Sequence, residues 1–267
     1  MTIKTAQSIA IASILLVAAT LCISLFNLDM VVADIFFVPG QGFTLANNQP
    51  WRALYAFGEY PGLFLAIAAA LAVIATYRWS GYRAWRKPCL FLALLYLLGP
   101  GLVVNALLKD HWGRARPIDI AYFGGTQPFH QPWIPEYGSG GKSFPSGHAS
   151  VAFFLIGPYF FLRYRQRKAA LIWLSSGSVY GGLVGAARLV QGGHFLSDIV
   201  WSGGLVVLTG LVLADVMRLN ARPTVAIALQ PDVVPLNVLP QTTLVPVHHH
   251  PPKPGWSNQR DNLYPGN

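Results

Sequence analysis

Charge is what this chain has least of. Only 11% of its 267 residues are charged, against about 25% in an ordinary soluble domain. Acidic residues are scarcer still, 10 Asp and Glu against 19 Lys and Arg, and nowhere do they gather into a carboxylate-rich metal site. Two cysteines, Cys22 and Cys89, are too few for a disulfide framework and identify no redox compartment. Both fall in or beside apolar runs, where they read as small buried hydrophobes. The net charge of +9 has the sign of a nucleic-acid binder. Its cations, however, lie in short clusters between apolar runs and not along one polar face, so no nucleic-acid partner is expected.

What fills the chain is apolar: 53% of it is hydrophobic. A bilayer span takes about 20 apolar residues. Runs that approach this occur at Ala6–Leu28, Gly62–Tyr77, Pro88–Leu108, Ala149–Leu162, Ala169–Ala187 and Ile199–Met217. The fourth is short and needs polar residues at its ends to share the span. The first has a weak cleavage site at Val31-Val32-Ala33, but its apolar region exceeds the roughly 7–15 residues of a signal peptide. It reads as an uncleaved helix. The expected fold is therefore an all-α integral membrane bundle of six spans over residues 1–219. Residues 220–267, rich in proline and without a long apolar run, read as a disordered cytoplasmic tail. His248, His249 and His250 lie there as solvated tail residues and not as a metal site.

Placing the charges gives an orientation. Lys4 precedes the first span, and Arg78, Arg83, Arg86 and Lys87 separate the second from the third. Arg163, Arg165, Arg167 and Lys168 separate the fourth from the fifth, and Arg218 and Arg222 follow the sixth. Alternating spans put all of these on one side, which the positive-inside rule makes cytoplasmic. Trp79, Tyr82 and Trp85 suit an interfacial belt there. Residues 29–59 form an aromatic, partly amphipathic connection suited to the membrane surface. Gly177, Gly181 and Gly185 recur every fourth residue and make a smooth face for close helix packing.

Three polar clusters stand at span ends on the opposite side. In KDHWGRARP, Lys109 and Arg116 are seven positions apart, about two helical turns, and so point the same way if the helix continues. Snorkelling cations would look the same. In FPSGH, Ser146 is a natural N-cap and Gly147 lets an anion approach the backbone. A helix start attracts phosphate. A capped helix start explains Ser146 but leaves His148 unexplained. In the third cluster Arg188 is followed by His194 and Asp198, which share a helix face if that helix has begun. An aspartate on one ring nitrogen leaves the other basic and aimed. Ionisable groups at membrane depth are costly and point to function. Together the clusters offer cations, a helix N-terminus and two histidines, the parts needed to neutralise, attack and protonate a phosphate ester.

Lys109-x6-Arg116-Pro117, Pro145-Ser146-Gly147-His148 and Arg188-x5-His194-x3-Asp198 resemble, in order and spacing, the three signature motifs of the type-2 phosphatidic acid phosphatases, whose superfamily includes the vanadium haloperoxidases. The motifs cover Lys109 to Asp198. The wording of KDHWGRARP, GGHFLSD and LDMVVADIFF is most similar to the bacterial lipid A phosphatases of that superfamily. The resemblance implies that His194 attacks phosphorus, Asp198 orients His194 and His148 protonates the leaving oxygen. Lys109, Arg116 and Arg188 would clamp the phosphate, with Ser146 and the Gly147 N–H adding hydrogen bonds. It implies no metal and no cofactor. His111 and Arg114 receive no catalytic role from it. Ala187 stands where the family usually has Ser, so one hydroxyl contact is lost or supplied elsewhere.

The implied partner is a lipid phosphate at the outer face of the inner membrane. The other readings are a phosphatase of phosphatidylglycerophosphate, phosphatidic acid or undecaprenyl pyrophosphate, a phosphotransferase with a lipid acceptor, and a non-catalytic lipid-binding or transport protein. The intact His148, His194 and Asp198 weigh against the last. Six spans weigh against a soluble haloperoxidase. Oligomeric state is left open.

Overall fold

The computed structural model describes residues 3–219; the expected tail, with Arg222 and the three histidines, lies outside them. Every regular element in the described residues is helical, with only isolated β-bridges beside them. Five helical segments are long and apolar enough to cross a membrane: Thr5–Leu25, Trp51–Arg78, Ser80–Lys109, Arg167–Val190 and Leu196–Val216. A shorter apolar one, Gly147–Leu162, stands where the fourth of the six expected spans was placed.

The first helix, α1 (Ile3–Leu25), shows how these spans are built. Ile11, Ile14 and Leu15 face outward, while Leu16, Thr20 and Ile23, at helical spacing, are buried. The buried stripe packs on the last helix, where Trp201 Nε1 donates to Thr20 Oγ1 at 3.0 Å. An aliphatic outer face is what lipid selects. Cys22 lies on that face, exposed and not buried as expected, because the α1 stripe that meets protein falls on Thr20 and Ile23 instead.

A short helix α2 (Leu28–Ile35) follows, and α3 (Trp51–Phe57) leads through Gly58-Glu59 into α4 (Tyr60–Arg78). The second span thus begins about three turns before the expected Gly62, since WRALYAF is itself apolar and helical. Next, α5 (Arg86–Tyr96) widens into a π-helix over Leu97–Lys109 that contains Pro100. Asn105 Nδ2 donates to the Pro100 carbonyl at 2.8 Å within that stretch. Such widening is rare and concentrates at functional sites.

Helix α6 (Gly147–Phe153) passes into a 3₁₀ turn, Phe154–Ile156, and then α7 (Tyr159–Leu162). Pro158, which has no N–H to donate, marks the break. A broken and short element is tolerated here because protein, not lipid, surrounds it: Ala149, Ala152, Phe154 and Phe160 are fully buried. Helix α8 (Arg167–Val190) carries the glycine face. A methyl group at Gly177 would strike Ile156, one at Gly181 the Phe153 ring, and one at Gly185 Ile199. Helix α9 (Leu196–Val216) packs on α1, α5, α6 and α8 at the centre.

The ends of the bundle differ. A cavity of about 530 Å³ at one end is lined by Trp85, Lys87, Arg165, Gln166 and Arg218, among others. The α4–α5 and α7–α8 connections and the end of α9 therefore meet there, as the alternation of spans requires. The polar clusters gather at the other ends of the same helices.

Candidate active site

Two of the three polar clusters are stitched together directly. Ser146 caps α6, its Oγ accepting from Ala149 N at 3.4 Å. Its own N–H donates to the Asp198 carbonyl at 3.3 Å. Ser202 Oγ–H lies 2.7 Å from the Asp198 carbonyl and 2.8 Å from that of Ser146, so one hydroxyl bridges the two segments. The PSGH turn is thereby fixed on the start of α9, and with it the positions of His148 and His194.

His194 is 1% exposed. Its Nδ1 lies 2.6 Å from the Ser143 carbonyl and 3.6 Å from Asp198 Oδ2. A carbonyl only accepts, so Nδ1 carries the proton and Nε2 keeps its lone pair. The expected helical i, i+4 geometry does not occur: α9 begins at Leu196, and His194 stands in the turn before it. The physical reason is the demand on Asp198. Its carboxylate accepts from Ser143 Oγ at 2.6 Å, from Phe195 N at 2.8 Å and from Arg114 Nη1 at 2.5 Å. It caps the helix and anchors the loop, while a backbone carbonyl supplies the short contact to the imidazole. Burial holds the His194 imidazole well below its ordinary value, to about 4, against the opposing pull of Asp198.

The cations converge from three elements. The π-helix ends at Lys109, so Arg116 is reached through an extended stretch and not by two further helical turns. Both still face the same site. Lys109 Nζ would lie 2.9 Å from a methyl group at Gly147, which places the ammonium against the PSGH turn. Arg188 projects from the last turn of α8 onto Gly193, whose lack of a side chain leaves room for the guanidinium. Lys109, Arg116 and Arg188 lie within electrostatic reach of one another and of His148, and Lys109 and Arg188 also reach His194. The Nε groups of Arg116 and Arg188 are buried without a hydrogen-bond partner. Buried donors are normally satisfied, so two unpaired guanidinium donors beside an ammonium describe a receptor for an anion. Arg188 Nη1 is held by Gln191 Oε1 at 2.5 Å.

Several site residues carry no motif signal. Arg114, 1% exposed, joins Asp198 to Asp29: its Nη2 donates to Asp29 Oδ2 at 2.8 Å and its Nε to the His130 carbonyl at 3.0 Å. Asp29 in turn accepts from Ser197 N and Ser197 Oγ–H, at 2.8 and 2.6 Å. The role withheld from Arg114 on sequence is therefore positional: it holds the carboxylate that holds the loop. His111 is exposed, with its ring Nδ1 3.1 Å from the Leu107 carbonyl. Beside His148 stand Tyr55, stacked on its ring with centroids 5.1 Å apart, and Glu59, whose Oε1 is 3.5 Å from His148 Nδ1. Ala187 is buried with no hydroxyl to offer.

Residues 86–222 match the PAP2 superfamily. Among curated proteins the chain is similar to the lipid A 4′-phosphatase of Francisella tularensis subsp. novicida, 34% identical over 166 residues that cover 61% of this chain and 74% of that protein. It is also similar to the lipid A 4′-phosphatase of Rhizobium leguminosarum, 32% identical over 209 residues, or 70% of this chain and 86% of that protein. That of Rhizobium etli is 36% identical over 159 residues, 55% of this chain and 59% of that protein. No solved structure matches.

Proposed function

Because the chain belongs to the PAP2 superfamily, we propose that it is a membrane-embedded phosphatase that removes the 4′-phosphate of lipid A through a phosphohistidine on His194. The substrate follows from three relatives whose names agree on it. The mechanism rests on one observation above the others: a buried histidine with Nδ1 committed to a backbone carbonyl, its Nε2 left free, and Lys109 and Arg188 within electrostatic reach of the ring.

In this reading Lys109, Arg116 and Arg188 take up the charge of the phosphate, and Ser146 Oγ–H and Gly147 N–H add hydrogen bonds. His194 Nε2 attacks phosphorus. The P–O bond to the lipid breaks as the leaving oxygen takes a proton from His148. Water then attacks the phosphohistidine and gives its proton to the now neutral His148, and inorganic phosphate leaves. Asp198 stabilises the charge that develops on His194. No metal enters either step. The site faces the outer side of the inner membrane, and both chain ends lie on the cytoplasmic side.

The test is phosphate release by the purified full-length protein in detergent with chelator present. Lipid A, phosphatidic acid, phosphatidylglycerophosphate and undecaprenyl pyrophosphate form the panel, with His194→Ala as control. Release from lipid A is expected, absent in the control and suppressed by vanadate, a mimic of the phosphoryl transition state. Undiminished release by His194→Ala, or a strict magnesium requirement, overturns the mechanism. Release from another lipid alone overturns the substrate. Release only when a lipid acceptor is added identifies the phosphotransferase.

A further inference from the structure

His148 has an unfavourable place for a general acid. Burial disfavours its charged form first; Arg188 from α8, Lys109 from the π-helix, Arg116 from the extended stretch and His194 from the loop before α9 then all face it, and each opposes a proton on its ring. Tyr55 from α3 stacks on it. A carboxylate is needed to balance that field. Asp198 is committed to Arg114 and Ser143, and Asp110 pairs with Lys142 at 3.2 Å. The carboxylate left to His148 is Glu59, with Oε1 at 3.5 Å from Nδ1.

The backbone around Glu59 is fitted to this place. Gly58 presses on Val184 of α8, where a methyl group would come within 2.7 Å of Cγ2. Gly62 presses likewise on Val151 of α6, whose Cγ1 would be 3.1 Å from such a methyl. The turn Gly58-Glu59-Tyr60-Pro61-Gly62 is thus seated between the helix that carries Arg188 and the helix that carries His148. Tyr55, one turn earlier, touches both residues: its ring stacks on His148 and lies 4.5 Å from the Arg188 guanidinium carbon.

We propose that Glu59 is the positioning residue of the general acid, its carboxylate accepting from His148 Nδ1–H so that Nε2–H points at the leaving oxygen. This rests on the phosphatase reading above. Hydrogen bonds of this kind are often long before substrate binds, which fits the 3.5 Å separation. In the first step the Nε2 proton passes to the lipid oxygen as its bond to phosphorus breaks. The Nδ1 proton stays on Glu59's hydrogen bond, and Glu59 remains ionised. The same tautomer then presents the Nε2 lone pair to the attacking water. Tyr55 holds the imidazole plane, and so links the acid to the phosphate-clamping Arg188.

The experiment compares two leaving groups in Glu59→Gln, which is isosteric at a half-exposed position. A lipid A leaving oxygen needs a proton, whereas nitrophenolate from p-nitrophenyl phosphate departs with little help. Turnover of lipid A is expected to fall roughly 10²-fold, the low end of what a positioned general acid contributes, with KM unchanged. The first-turnover release of nitrophenolate is expected to stay near wild type. The basic limb of the lipid A pH–rate profile should move to lower pH, because the imidazolium has lost its counter-charge. Glu59→Asp should recover part of the loss. An equal loss on both substrates, or a rise in KM alone, overturns the proposal. Absence of phosphohistidine on His194 in the wild type overturns the phosphatase reading itself, and with it any leaving group for His148 to protonate.

Discussion

At the scale of single residues, His194 is defined by what it cannot do: deep burial keeps it from taking a proton easily. Its imidazole is held to about 4, from an ordinary value of 6.5. In the proposed mechanism the neutral form is the nucleophile, so the nucleophile is present above that value and lost as pH falls through it. The acidic limb of kcat/KM, which reports the free enzyme, is expected near 4 and not near 6.5. A pH–rate profile on lipid A, with protein recovery checked after each incubation, measures this. A limb near the ordinary value would mean that His194 is solvated in the working enzyme. The other side of the profile falls as His148 loses its proton; burial and the facing cations draw that imidazole down to about 4 as well, so the bell is narrow and its apparent values belong to the coupled pair. The residue types at this site were legible because histidine and arginine are conspicuous at the ends of apolar runs. Ser143 was not: it acts on His194 through a backbone carbonyl, which every residue has. Glu59 was not either, since a lone glutamate in a turn carries no spacing.

At the scale of elements, Arg114 explains why the motifs meet. It ties the Asp29 of α2 to the Asp198 of α9, partners 85 and 84 positions away. No periodicity reveals such pairing, and so a residue inside KDHWGRARP passed as filler. The Gly177–Gly181–Gly185 face was legible because it repeats along one helix, and its contacts with Ile156, Phe153 and Ile199 follow. Helix starts were less so: the placement of His194 depends on Asp198 capping α9, which a spacing of four does not distinguish from a helical turn. Removing one partner of a buried ion pair costs about 3–5 kcal/mol, because the other charge is left unpaired. Arg114→Met strands two carboxylates. It is expected to lower the midpoint of thermal unfolding in detergent and to abolish phosphate release. Adding Asp29→Asn should return part of the stability, since one stranded charge is then gone, without returning activity. A single variant as stable as wild type would show that water, and not Arg114, balances these carboxylates.

At the scale of the molecule, two kinds of positive charge have been separated to opposite ends. Trp85, Lys87, Arg165 and Arg218 line the cavity at one end, and Trp79, Tyr82 and Trp85 of the α4–α5 connection are all more than half exposed, as an interfacial belt would be. Lys109, Arg116 and Arg188 lie at the other, turned inward with two guanidinium donors unpaired. Outward cations set orientation by the positive-inside rule, while inward ones serve an anion, so the two sets do not compete in fixing topology. The order of spans was legible from hydropathy alone. The broken Gly147–Leu162 segment was legible only as a short run, because its burial among α8 and α9 is a property of the assembled bundle. The sidedness has a direct measurement. Cys22 and Cys89 are free thiols, and their replacement by alanine leaves a background for single reporters. Tyr82→Cys marks the cavity end, and Tyr137→Cys, at a position 74% exposed, marks the connection that carries the site. In intact cells with a permeabilised outer membrane, an impermeant maleimide is expected to label Tyr137→Cys at once and Tyr82→Cys only after the inner membrane is opened. The reverse pattern would place the phosphate receptor on the cytoplasmic side. The outward-facing cations would then lie against the positive-inside rule, and the substrate would have to be a lipid phosphate presented from within the cell.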